Sequence, residues 1–252
     1  MAISARGQAV GLRGDMAGSG TGQELQAEAL GQVHGLTLVA ALGAQHQPSA
    51  YERWVKPSID RLVGALLIVA LSPVLLVVAI AVRCSLGSPV LLRQDRVGQH
   101  GQIIGVYKFR SMHPDRRSGV DRRGPSRTEA GDRRILHKHP DDPRLTPLGR
   151  LLRGWSLDEL PQLFNVLRGE LSLVGPRPEM VSIVRQYEPW QHARHQVRPG
   201  MTGLWQVSAR GDGLMHERTD VDLDYIRGLS FVTDCKLLLL TVPCVLGLRR
   251  GY

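Results

Sequence analysis

Between Leu62 and Val82 the chain reads LVGALLIVALSPVLLVVAIAV, with no charged residue in the run. Roughly 21 residues at about 1.5 Å each reach about 31 Å as a helix, the thickness of a bilayer's hydrocarbon core. A helix inside a soluble protein rarely stays apolar on every side for so long, because one side faces water. Membrane contact follows. Arg53, Lys56 and Arg61 precede the run, and Arg83 and Arg93 follow it. Basic residues at both ends select no single orientation, and they permit both ends to lie on the cytosolic face. Ser72–Pro73 sits near the middle. Proline removes a backbone donor and clashes with the preceding turn, so a kink is expected there. From the residues alone two paths stay open: a mildly kinked spanning helix, or a sharp bend that returns the chain to the face it entered.

The remainder of the 252 residues permits one sizeable domain with additions. A formal net charge of +9 favours anionic partners: phosphate ligands, nucleic acid or anionic lipid. Cys84, Cys235 and Cys244 are odd in number and lack CxxC spacing. That argues against a disulfide framework or structural zinc, and it fits a cytosol-facing location. No apolar segment of secretory type follows the first arginines. Residues 1–50, rich in Gly, Ala and Gln, read as a variable, flexible extension, with LTLVAALGA a candidate short helix. Residues 51–83 form the basic flank and membrane helix, and residues 84–252 the remaining domain.

After Arg83, GSPVLLRQDRVGQHGQIIGVYKFRSM reads as short strands separated by glycine turns. HPDRRSGVDRRGPSRTEAGDRRILHKHPDD has no apolar period and reads as a long surface loop. It is either a solvated charge run or a contact for lipid headgroups or a nucleotide. His137 and His139, near Asp141 and Asp142, are a weak metal signal in such a loop. Further on, QVRPGMTGLWQVSARGDG reads as loop and short strand. ERTDVDLDYIRGLSFVTDCKLLLLTVPCVLGL reads as one or two helices, the last interfacial or packed because it holds Pro243 and falls short of a span. Arg210–Asp212 spells RGD, which needs no adhesive reading in a chain with cytosolic signs.

The segment SLDELPQLFNVLRGELSLVGPRPE concentrates the chemistry. Leu160, Leu163, Phe164 and Leu167 predict one apolar helical face, and Gly169 ends the run. Ser156 with Glu159 matches a capping box, and Asp158 as N-cap would fit Pro161 in the first turn. Either way Asp158 and Glu159 sit at the positive end of a helix, where acids stabilise it by about 0.3–1 kcal/mol each. That structural role is the simplest explanation of the pair. Arg177, however, stands between Pro176 and Pro178, and Glu179 follows. A guanidinium on a stiff mount can offer phosphate two parallel hydrogen bonds. With it, one carboxylate can hold Mg²⁺ and the other can attack phosphorus.

Four stretches carry a resemblance to a known family: SLGSPVLLRQDRVGQHGQIIGVYKFRSM, DDPRLTPLGRLLRGWSLDELPQLFNVLRGELSLVGPRPE, RPGMTGLWQVSARGD and ERTDVDLDYIRGLSFVTDCKLLLLTV. In this order, across roughly Tyr51 to Val242, they resemble the bacterial sugar transferases, the monotopic phosphoglycosyl transferases that start glycan assembly on polyprenyl phosphate. The resemblance implies an α/β fold: a small membrane-associated catalytic domain, amphipathic surface helices and one re-entrant helix broken at Ser72–Pro73. It therefore favours the re-entrant path over the spanning one. It implies Asp158 as nucleophile, Glu159 as a Mg²⁺ ligand and Arg177 as the phosphate contact. The implied reaction moves a sugar-1-phosphate from a UDP-sugar to undecaprenyl phosphate through a phosphosugar on Asp158, releasing UMP. The implied location is the cytoplasmic face of the bacterial inner membrane, among anionic lipids, with exopolysaccharide as the expected product and capsule, O-antigen and protein glycan as the alternatives. Trp155 stands where many relatives carry a small polar residue. Larger members carry extra membrane helices ahead of the catalytic unit, and nothing before Tyr51 in this sequence resembles them.

Two rivals frame this expectation. A membrane phosphohydrolase would use water in place of the lipid phosphate. A basic membrane adaptor would tolerate neutralising Asp158 and Glu159. Nucleic-acid binding gains little support, because the arginine-rich loop lacks regular aromatic interleaving.

Overall fold

The computed structural model describes residues 46–113, 144–208 and 217–245. The expectations for residues 1–45, the arginine-rich loop, His137, His139, Asp141, Asp142 and Arg210–Asp212 fall outside them. After a short turn over Tyr51–Val55, helix α1 runs over Lys56–Leu86, 31 residues or about 46 Å. It is the one helix among the described residues long and apolar enough to cross a membrane.

Helix α1 continues through Ser72–Pro73 without a gap in its assignment. Pro73 has no N–H to offer the carbonyl four residues back, which is that of Val69. The Ser72 hydroxyl donates to that carbonyl at 2.8 Å. In hydrocarbon an unmet carbonyl is costly, and the serine is the local repair. Both halves of α1 pack on the same water-facing unit. Val63, Ile68 and Leu71 meet a core containing Leu163, Val166, Leu173 and Tyr225. Val78 and Val82, with Leu75 and Ala79, meet Phe109 and Leu152. The opposite side carries Leu62, Leu66, Val69, Leu76, Val77 and Ile80, all exposed.

Strands β1 (Leu91–Val97) and β2 (Ile103–Phe109) form the expected hairpin, antiparallel from Leu91 opposite Phe109 to Val97 opposite Ile103. Helix α2 (Pro147–Gly154) follows, capped by Thr146, whose hydroxyl accepts from the Gly149 N–H. Next come a tight turn, Leu157–Glu159, and helix α3, Gln162–Arg168. Here neither capping expectation holds. Ser156 adopts φ 54° and makes no side-chain cap, and Pro161, not Asp158, occupies the N-cap position of α3. The left-handed serine turns the chain so that both acids ride a separate turn ahead of the helix. Gly169, at φ 76°, ends α3 as expected, because its N–H and that of Glu170 close back on the Val166 and Asn165 carbonyls.

The buried side of α3 also differs from the expected stripe. Leu163 and Val166 are buried, but so are Gln162 and Asn165, while Phe164 is exposed. Asn165 explains the rotation. Its amide donates to the Gly105 carbonyl at 2.8 Å and accepts from the Tyr107 N–H at 3.1 Å, pairing with the open edge of β2 as another strand would.

Strand β3 (Ser172–Val174) leads through Gly175–Pro178 to β4 (Glu179–Met180), which completes a three-stranded sheet in the order β2-β1-β4. A short helix α4 (Val181–Val184) and a 3₁₀ segment over Pro189–Gln196 precede β5 (Gly200–Thr202), which pairs in parallel with β3. Helices α5 (Leu204–Ser208), α6 (Thr219–Arg227) and α7 (Phe231–Val245) end the described chain. The two-helix reading of the last part holds. Helix α6 is amphipathic, with Val221, Tyr225 and Ile226 buried, whereas α7 leaves Val232, Leu239 and Val242 exposed.

A buried polar node joins α1 to α7. Asp234 accepts from Lys56 Nζ at 2.5 Å and from the Tyr51 and Tyr225 hydroxyls at 2.7 and 2.8 Å. Beside it Asp60 accepts from the Ser172 hydroxyl at 2.7 Å. Removing one partner of a buried pair strands the other charge. Asp234→Ala is therefore expected to lower stability by about 3–5 kcal/mol, and Tyr51→Phe by about 1 kcal/mol. Thermal unfolding of the detergent-solubilised protein measures both.

Candidate active site

The turn Leu157–Glu159 places both acids inside the protein, with Asp158 at 4% and Glu159 at 9% relative exposure. Glu159 receives a fork from Arg177: Nη2 to Oε1 at 2.7 Å and Nη1 to Oε2 at 3.3 Å. Lys108, from β2, donates to the same Oε1 at 3.3 Å. The charge of Glu159, opposed by burial, raises the Arg177 pKa, and Asp158 acts on it in the same direction. Burial pulls Lys108 down to about 8, with Glu159 resisting. Glu179, on β4, has its Oε1 3.6 Å from Arg96 Nη1 on β1.

The structure thus brings together Asp158, Glu159 and Arg177, the residues singled out from sequence. Ser72 and Pro73 stay in α1, where their interaction is the local one with Val69. Lys108 was missed. It stands in a strand between Tyr107 and Phe109, and a lone cation in a strand carries no motif. Its signal exists only in three dimensions, where 51 residues of chain fold back to set it on Glu159.

The mount of Arg177 is stiffer than two prolines alone would make it. The Gly175 N–H donates to the Thr202 carbonyl, and the Gly200 N–H donates to the Pro176 carbonyl, both at 2.8 Å. Arg194 Nη2 donates to the Arg177 carbonyl at 2.8 Å. Arg96 Nη1 reaches the Pro178 carbonyl at 3.4 Å.

Among the described residues, Arg96 lies against Glu179, and Lys108 and Arg177 lie against Glu159, with Asp158 acting on both of the latter cations in the same sense. A phosphate-bearing ligand would exchange with Glu159 for Arg177 and Lys108, and the released carboxylates would then be hard-oxygen donors. Among the described residues no group of three or more side chains stands ready to enclose a metal. Asp158, Glu159 and Glu179 are hard-oxygen groups, and Mg²⁺ is habitually held by one or two such carboxylates together with ligand phosphates.

Two adjacent carboxylates, a forked arginine and a lysine thus form a buried charged cluster on the turn before α3, the helix that packs against the apolar α1. The family model described as bacterial sugar transferase matches residues 51–247, and the chain belongs to that family. It is 41% identical over 191 residues to the UDP-glucose:undecaprenyl-phosphate glucose-1-phosphate transferase of Klebsiella pneumoniae, covering 73% of this chain and 38% of that protein. It is 37% identical over 198 residues to the exopolysaccharide production protein ExoY of Sinorhizobium fredii, covering 78% and 88%. It is 40% identical over 161 residues to the galactosyl transferase CpsE of Streptococcus agalactiae, covering 64% and 35%. The matched region is thus well under half of two of these relatives and most of the third.

The geometry makes an unusual expectation for Glu159→Gln. The neutral amide frees Arg177 and Lys108 from their carboxylate, so UDP should bind several-fold more tightly than to the parent when no divalent cation is present. Isothermal calorimetry with and without EDTA measures it. Equal or weaker metal-free binding would show that Glu159 does not compete with phosphate for these cations.

Proposed function

We propose that this protein transfers a sugar-1-phosphate from a UDP-sugar to polyprenyl phosphate, undecaprenyl phosphate in the bacterial case, and releases UMP. The observation that carries the reading is the Arg177 fork on Glu159, with Asp158 beside it and Lys108 behind, built against an apolar helix. Arg177 and Lys108 supply donors for the equatorial oxygens of a phosphoryl group. Asp158 is the nucleophile. A carboxylate oxygen forms a bond to the β-phosphorus, and the bond from that phosphorus to the bridging oxygen breaks, so that UMP leaves with the electron pair. An oxygen of the lipid phosphate then bonds to the same phosphorus and returns Asp158 as carboxylate. Adjacent residues point in different directions, which suits Asp158 and Glu159 to separate tasks on one ligand. Mg²⁺, held by Glu159 with ligand phosphates, supplies charge neutralisation in this reading.

The membrane arrangement belongs to the same proposal. Helix α1 enters and leaves by the cytoplasmic face and bends at Ser72–Pro73. Arginines flank both ends, Ser72 repairs the carbonyl that Pro73 strands, and both halves of α1 pack on one water-facing unit. Residues 84–252 form the catalytic domain, residues 51–83 its membrane support, and residues 1–50 a variable extension. The relatives' names include glucose and galactosyl transfer, so the donor is a UDP-hexose, and the name of ExoY points to exopolysaccharide as the product.

The reaction is tested with a panel of UDP-sugars and undecaprenyl phosphate, reading UMP. Lipid-dependent release is expected, whereas lipid-independent release would indicate a hydrolase. Brief incubation without lipid should place a sugar-phosphate mass on the Asp158 peptide, absent in Asp158→Asn. An adduct on Glu159 would reverse the assignment, and full turnover by Asp158→Asn would sink the covalent route. Arg177→Lys keeps the charge but loses the fork, and turnover is expected to fall about 10²-fold.

For topology, single cysteines at Gln47 and Gln102, both exposed, should be equally shielded from membrane-impermeant label outside intact spheroplasts. Labelling of one and not the other means that α1 spans.

A further inference from the structure

Arg194 lies in the 3₁₀ segment Pro189–Gln196, away from the dyad, and is 2% exposed. Its guanidinium makes three polar contacts. Nη2 lies 2.7 Å from Asp222 Oδ2 on α6, Nη1 donates to the Tyr187 hydroxyl, and Nη2 also donates to the Arg177 carbonyl at 2.8 Å. Burial lowers its basicity, but Asp222 and Tyr187 more than restore it, so Arg194 stays charged. His195, stacked on Tyr187, is pushed down to about 3 by burial and by Arg194, so it adds no charge beside the pair.

Stability does not account for this arrangement. A buried ion pair replaced by apolar residues of similar volume is often neutral or stabilising. What an apolar replacement could not do is donate to one particular carbonyl, and the carbonyl chosen is that of Arg177. Pro176 and Pro178 restrict the backbone on either side but have no N–H to anchor it. We propose that Arg194, locked by Asp222 and Tyr187, is a positioning residue for Arg177: it fixes the Arg177 carbonyl and so the direction in which the Arg177 side chain leaves the backbone. This rests on the phosphate-binding role proposed for Arg177. Arg194 and Asp222 touch no reacting atom. They act through Arg177.

The test is a double-mutant cycle. Arg194→Lys, Arg177→Lys and the double variant are compared with the parent for kcat, for KM of the UDP-sugar, and for UDP affinity by calorimetry. Arg194→Lys alone should lower kcat about 10-fold, with a smaller change in KM, and weaken UDP binding several-fold. In the Arg177→Lys background the same change should cost less than twofold in every reading, because the group it positions is already gone. Equal penalties in both backgrounds overturn the proposal and make Arg194 a structural residue. Tyr187→Phe, which deletes a single hydroxyl from the lock, runs the same cycle where Arg194→Lys does not fold, with a smaller expected effect and the same criterion. A parent that releases no UMP from any UDP-sugar refutes the proposed reaction, and the UDP-affinity cycle still decides the coupling. Coupling without turnover supports the positioning role, and additivity with turnover refutes that role alone.

Discussion

Helix α1 meets α3 where Gly64 faces Val166, and a side chain on Gly64 would come within 3.3 Å of Val166 Cγ1. The rest of the structure hangs on this approach. Val166 is fully buried and belongs to the main core with Leu163 and Leu171. The α3 helix begins directly after the turn that holds Asp158 and Glu159. A Cβ on Gly64 would fit only if Val166 gave by a few tenths of an ångström, so the apolar helix lies close against the helix that follows the acids. In the proposed reaction a soluble nucleotide and a lipid phosphate need a common meeting point at the membrane surface, and close packing of α3 on the apolar helix would provide one without a tether.

The second constraint is electrostatic. Burying Asp158, Glu159 and Glu179 together would raise all their energies unless cations came with them. Arg96, Lys108 and Arg177 do so from three separate elements, the strands β1 and β2 and the loop before β4. The result is a cluster whose charges are paired before a ligand arrives, and a phosphate would have to take Arg177 and Lys108 from Glu159.

What the sequence made legible was local. The apolar run, the glycine stop at Gly169, the hairpin and the paired final helices each follow from neighbours a few residues apart. The dyad and Arg177 were legible as a motif, and their juxtaposition across 18 residues fits the short strand and loop between them. The failures have one physical cause. Ser156 looks like a cap but takes a left-handed turn. Phe164 looks like core but is displaced by Asn165, whose amide has a strand edge to satisfy 60 residues away. Lys108, Arg194 and Asp222 carry no pattern, because their partners are brought to them by the fold.

Arg177 shows how the two levels combine. Its flanking prolines limit the backbone torsions that the segment can adopt, which is a local property readable from the sequence. They also remove two donors and leave carbonyls at Pro176, Arg177 and Pro178 to be met from elsewhere. Gly200, Arg194 and Arg96 meet them. Local stiffness narrows the choices, and tertiary donors select one. A guanidinium must hold two oxygens in a plane to distinguish a transition state from a ground state, so an error in the backbone direction is carried to the end of a long side chain. The buried Arg194–Asp222 pair makes sense on that ground: Arg194 holds the carbonyl of the residue whose side chain forks onto Glu159.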